Sequence, residues 1–284
     1  MLELSRRRIA QVLAHGTTMV EIKSGYGLDS PTEEKILDVI GLLKREGPPD
    51  VIATFLGAHT IPSSVKREDY LDWLLREAMP RFKEKAEFCD VFCEDGAFTP
   101  EESERILRSA KESGYKLKIH AGQFNDLGAA GMAASLGAVS ADHCDRVSPH
   151  QMDLMREKGT VAVLLPGTSF FLGTDVFPDF QKFNEHGVAV ALATDFNPGS
   201  CPCFSMQMMI GLAVHRMGMT AQEAVTASTV NAAWAVDRGK QAGSLEPGKQ
   251  ADLIVLDVQN AAQIPYYFGV NLVKTVVKGG RVVV

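Results

Sequence analysis

The chain has 284 residues, of which 45% are hydrophobic, and a formal net charge of -6. That is ample apolar material for a buried core and too much for a disordered chain. The acidic balance, with no Lys or Arg tract, offers no face to a phosphate backbone, so no nucleic-acid partner is expected.

Along the chain, Leu4, Ile9, Val12 and Leu13 already follow helical spacing with no N-cap ahead of them, so the sequence is expected to open inside a helix. No apolar stretch approaches the roughly 18 residues that span a bilayer, and "MLELSRRRIAQVLAHG" lacks the apolar core of a signal peptide. A cytoplasmic protein with no membrane partner is therefore expected. The five cysteines form no CxxC pair, which fits reduced thiols, and Cys201 with Cys203 is read as incidental.

From residue 17 one unit recurs: an apolar run, a polar loop, a capped amphipathic helix, a glycine and another run. Such alternation predicts parallel strands with helices outside them. The runs are 17–22, 51–57, 88–93, 116–120, 138–142, 160–165 and 188–194, about seven where a closed (β/α)8 barrel needs eight. Helix starts are read at "SPTE" (Ser30 to Glu33), "TPEE" (Thr99 to Glu102) and "TAQE" (Thr220 to Glu223), each a hydroxyl cap answered by Glu three residues on. Behind Ser30, the residues Ile36, Val39, Ile40 and Leu43 form one apolar stripe. Helices over roughly 204–217 and 221–236 are followed by β segments with no helix between them. The expected organisation is an α/β TIM-like barrel lacking its first strand over 1–238, and C-terminal strands of a small composite β-sandwich over 239–284.

In a barrel of this kind functional side chains sit where strands end, because the following loops share one rim. "KLKIH" ends on His120, "AVSADH" on His143 and "VAVALATD" on Asp195, and "TFLGAH" leads into His59. Each alone has an ordinary structural explanation, and His15, His150, His186 and His215 in helices or at their ends are left to it. Four rim groups on separate strands are harder to assign to chance. Histidine with carboxylate and no thiolate set suits Zn or a similar divalent ion with an open position. Such an ion lowers the pKa of bound water from about 15.7 to about 7, on the order of 12 kcal/mol toward hydroxide. Asp195 would then carry a proton to a leaving nitrogen while His143 polarises the carbonyl under attack, which is metal-assisted hydrolysis of a C–N bond. No GxSxG elbow, P-loop or dinucleotide fingerprint competes.

The phrases "VEIKSGYGLD", "FLGAHTIP", "DVFCEDGAF", "KIHAGQF", "SADHCDRV", "LLPGTSFFLG" and "ATDFNPGS" occur in that order and resemble the imidazolonepropionase family of the amidohydrolase superfamily, from about residue 8 to the end. The resemblance implies a metal-dependent barrel, commonly dimeric, with Zn or Fe, that opens 4-imidazolone-5-propanoate with water to N-formimino-L-glutamate in histidine degradation. It implies His120 and Asp195 as metal ligands and His143 as the residue facing the substrate carbonyl. It implies Tyr26 and His59 as contacts to the ring and propionate, and Asn197, Gly199 and Ser200 as the loop closing on the substrate. Gln123 stands where some members carry Glu; an amide can bond the ring but cannot shuttle a proton. Members also carry an HxH pair on a first strand, and this sequence contains none. The chain is therefore expected to be the C-terminal two-thirds of such an enzyme. A deaminase of a related heterocycle and an inactive fragment are the alternatives.

Overall fold

The computed structural model describes residues 1–284. Helix α1 (Leu2–Ala14) precedes a parallel sheet of seven strands in sequential order: β1 (Met19–Lys23), β2 (Asp50–Ala58), β3 (Phe88–Cys93), β4 (Lys116–Ala121), β5 (Ser140–His143), β6 (Val161–Leu164) and β7 (Val190–Leu192). Each strand pairs with its sequence neighbours, and β1 and β7 each have one partner, so the curl does not close within this chain. The outer layer is α2 (Ser30–Glu46), α3 (Arg67–Trp73) running into a π-helical turn (Leu74–Ala78) and α4 (Met79–Phe82), then α5 (Pro100–Glu112), α6 (Ala129–Leu136) and α7 (Pro149–Lys158). It continues with α8 (Pro166–Phe171), α9 (Phe180–Glu185), α10 (Met206–Met217) and α11 (Ala221–Ser228), after which α12 (Val230–Ala235) leaves that layer. No helix is long and apolar enough to cross a membrane.

Local chemistry explains most of these boundaries and corrects some expectations. Thr99 and Thr220 form the expected capping boxes, each accepting from the amide of the Glu three residues on while that carboxylate accepts from the threonine N–H. Ser30 does not cap α2: Asp29 does, accepting from the Thr32 amide at 2.7 Å. The buried stripe of α2 is Glu33, Leu37, Ile40 and Leu43, so Leu37 takes the depth expected of Ile36. The helix expected over 221–236 breaks at Thr229, whose φ of -125° and ψ of -83° leave the helical region. The break turns α12 under the sheet, where Asn231 Nδ2 donates to the Val190 carbonyl at 2.7 Å.

Past the barrel, β8 (Leu253–Leu256), β9 (Val273–Lys278) and β10 (Arg281–Val282) form a separate antiparallel sheet in the order β10-β9-β8. A one-turn helix, α13 (Gln263–Tyr266), lies between β8 and β9 where none was expected. Lys278 ties this sheet to the barrel, donating at 2.7 Å to Asp50 at the start of β2 and at 2.7 Å to Asp252.

The sheet has two different faces. Outward side chains join the main core with the helices, and inward ones of β6 and β7 make a small apolar cluster of Val161, Val163, Leu165 and Ala191 closed by Ala235. The inward face of β1 to β5 instead carries a charged and polar set, Glu21, Lys23, Thr54, Asp90, Lys118, His120, Ser140 and Asp142, with Lys118 over the Phe88 ring and Phe92 beside His120. Apolar runs with single polar residues two apart had concealed that interior.

Candidate active site at the strand ends

The charged interior rises to the rim. Lys23 Nζ donates to Asp90 Oδ2 at 2.5 Å and to Asp142 Oδ2 at 2.6 Å, tying β1 to β3 and β5. Asp90 Oδ1 lies 3.1 Å from His120 Nδ1. Burial alone would raise both acids and lower the lysine. Instead His120 and Lys23 hold Asp90 well below the carboxylate range, Lys23 and Lys118 hold Asp142 down, and the two acids with Glu21 carry Lys23 well above its usual range. Burial likewise opposes the charged form of His120, and the Asp90 carboxylate overcomes it, so its pKa is raised.

The rings form a continuous row around the rim. Tyr26 meets His59 edge-on with centroids 5.0 Å apart, His59 lies 5.9 Å from Phe92, Phe92 6.1 Å from His120, and His120 5.4 Å from His143. The Nδ1 atoms of His59 and His143 are buried and have no hydrogen-bond partner. Burial pushes His143 down to about 4, with Asp195 partly offsetting it, so at neutral pH it is an uncharged imidazole. Burial and the neighbouring His120 lower His59 as well.

Asp195 lies just past β7 with φ at +51°, and His143 ends β5 with φ at +72°; both are left-handed conformations that residues other than glycine seldom adopt. Such backbone is held in place by its surroundings. Thr168 in α8 donates to Asp195 Oδ2 at 2.7 Å, and the next residue, Ser169, donates to Asp145 Oδ1 at 3.0 Å. Asn197 is committed to its own turn: its Oδ1 accepts from the Gly199 and Ser200 amides at 2.8 and 2.7 Å, and its Nδ2 donates to the Asp195 carbonyl at 2.7 Å. Gln123 sits on the loop after β4, next to the Phe124 and Asn125 amides that donate to the buried Glu94. Sequence reasoning missed Lys23, Asp90, Asp142, Thr168 and Glu94; polar residues recurring at one level on adjacent strands were the available signal.

The amidohydrolase family matches residues 92–283. The chain is 45% identical over 284 residues to the imidazolonepropionase of Alkaliphilus oremlandii (strain OhILAs), covering 99% of this chain and 67% of that protein. It is 48% identical over 286 residues to the imidazolonepropionase of Geobacillus kaustophilus (strain HTA426), with the same coverage of 99% and 67%. The chain belongs to the amidohydrolase family. This amidohydrolase spans about two thirds of the length of those relatives. Its fold is also similar to an adenosine deaminase from Xanthomonas campestris solved with bound zinc, at a TM-score of 0.73 and 19% identity, covering 99% of this chain and 70% of that one.

One cluster of buried side chains has the donor atoms a divalent ion would need. Asp90, His120 and Asp142 present ligand atoms all within 4.8 Å of one another. The Lys23 ammonium already bonds both carboxylates, so the chain supplies its own cation between them. His120 fits better in another role. Its Nδ1 is engaged by Asp90, which leaves Nε2 for a metal in the carboxylate–histidine–metal arrangement. Asp195, the second ligand expected from the sequence, is not a member of the group formed by Asp90, His120 and Asp142.

Proposed function

We propose that this amidohydrolase acts on 4-imidazolone-5-propanoate, adding water to its ring C–N bond to give N-formimino-L-glutamate, as the names of its relatives indicate. The observation that carries the reading is the row of rim imidazoles, two of them with buried, unpartnered Nδ1 atoms, beside a carboxylate held by Thr168. Buried polar groups are seldom left without a partner, and a ligand is one of the things that completes them.

His120 through Nε2 and Asp195 would hold the metal, Zn or Fe, which when bound supplies an acidified water and a Lewis acid. Asp195 takes the proton of the attacking water on the oxygen that Thr168 leaves free, then gives it to the ring nitrogen as the C–N bond breaks. His143, uncharged, donates a hydrogen bond to the carbonyl oxygen as charge develops there. Tyr26 and His59 line the side where ring and propionate lie, and the turn of Asn197, Gly199 and Ser200 closes the opposite side. Gln123 orients the ring by hydrogen bonding alone. A homodimer in the cytoplasm belongs to the same proposal; the exposed Tyr266, Phe268 and Val270 next to α13 offer a face for the second copy.

The test joins this chain to the N-terminal third of the Alkaliphilus relative, adds Zn or Fe(II), and follows loss of imidazolone propanoate. Ring opening that disappears in Asp195→Asn is expected. No turnover with metal bound, or a preference for an aminated heterocycle, would overturn the assignment.

A further inference from the structure

Glu33 is the most completely buried acid of the outer layer, with 0% exposure, although it lies in the first turn of α2. Its carboxylate does not turn back to Ser30. Oε1 accepts from the Gly27 amide at 2.6 Å, and both oxygens lie 3.0 Å from the Gly25 amide. The residue between those amides is Tyr26, 61% exposed, whose ring meets His59 edge-on. Space forces the same arrangement. Gly25 has φ at +107° and a Cβ there would stand 2.3 Å from the Leu56 carbonyl oxygen, while a Cβ on Gly27 would stand 2.5 Å from the Glu33 amide nitrogen and 2.8 Å from its Oε1.

The first turn of α2, which carries this carboxylate, is anchored to the next outer helix. Ser30, one turn away, accepts from Trp73 Nε1 at 2.7 Å and donates to Glu77 at 2.6 Å, in α3 and the π-helical turn. From the same helix Tyr70 donates to the Gly57 carbonyl at 2.8 Å, bracing the end of β2 from which His59 projects. One outer helix therefore supports both halves of the Tyr26–His59 pair.

We infer that Glu33 is a positioning residue: by clamping the amides on either side of Tyr26 it sets that ring against His59 and fixes one wall of the substrate pocket. The inference rests on the pocket proposed above. Glutamine at this position keeps one acceptor and places an NH2 against an amide donor, so Glu33→Gln releases the loop without opening a cavity.

The experiment is NMR on the intact chain, reading the cross-peak between the Tyr26 and His59 rings, with imidazole-4-propanoate as titrant. Glu33→Gln and Gly27→Ala are expected to lose the cross-peak and to bind the probe at least tenfold more weakly. Glu34→Gln, which alters an acid paired with Arg81 and Lys85 on the same turn, is expected to match the parent. Should Glu33→Gln fail to fold, Gly27→Ala decides, because its added methyl pushes the loop off an unaltered carboxylate. A cross-peak retained in the folded variants overturns the inference. Failure of the parent to bind the probe counts against the proposed substrate alone, since the cross-peak reads the wall directly.

Discussion

Asp145 shows how a single side chain near the rim acquires its own pH dependence. Burial raises its pKa to about 7, against which the Ser169 hydroxyl and the nearby Arg146 work only in part. Its folded pKa lies above the ordinary carboxylate value, so the folded state favours the protonated form. The stability associated with it is full below about 3.8 and is lost as pH rises through about 7. Three pKa units correspond to about 4 kcal/mol at most. Asp145→Asn should therefore unfold at higher urea than the parent at pH 8, with the difference shrinking toward pH 4; a difference independent of pH would contradict a protonated Asp145. None of this was legible in "SADHCDRV". That motif places His143 at a strand end, as "ATDFNPGS" does Asp195, since strand ends are a local property of the chain. The burial of Asp145, like the unpaired Nδ1 of His143, depends on what distant parts of the chain pack around it, and so does its hydrogen bond from Ser169 in α8.

Among the elements, the helices divide by how local their starting chemistry is. "TPEE" and "TAQE" contain their whole capping box within four residues, and the structure reproduces both. "SPTE" has the same pattern with a different outcome, because Glu33 finds the Gly25 and Gly27 amides and Ser30 finds Trp73 and Glu77. Tertiary partners displaced the local ones. Asp29→Ala should consequently lower stability by about 1 kcal/mol through the lost cap. Ser30→Ala should leave the α2 cap intact and instead change the environment of the Trp73 indole; thermal melts with tryptophan fluorescence separate the two, and a common loss of the cap from both variants would refute this division. The break at Thr229 has the same origin: nothing in "TASTVNAAW" marks an end, but Asn231 reaches the Val190 carbonyl only if the helix turns there.

For the whole molecule, the parallel order of strands and the rim were readable because apolar runs and loops alternate at a regular period. The interior was not, since its charges come one or two per strand and gain meaning only when five strands are laid side by side. Lys23 is the centre of that interior, with two nearly inaccessible carboxylates on one ammonium. Lys23→Met should destabilise the protein by about 3–5 kcal/mol, as expected when a buried charge loses its partner. Adding Asp142→Asn should recover part of the loss; urea denaturation of the single and double variants would show strict additivity if the pair were not coupled. This ammonium also bears on the order of events in the life of the protein. A sheet that carries its own counter-ion needs no metal to neutralise Asp90 and Asp142, so their charge is balanced before any ion reaches the rim.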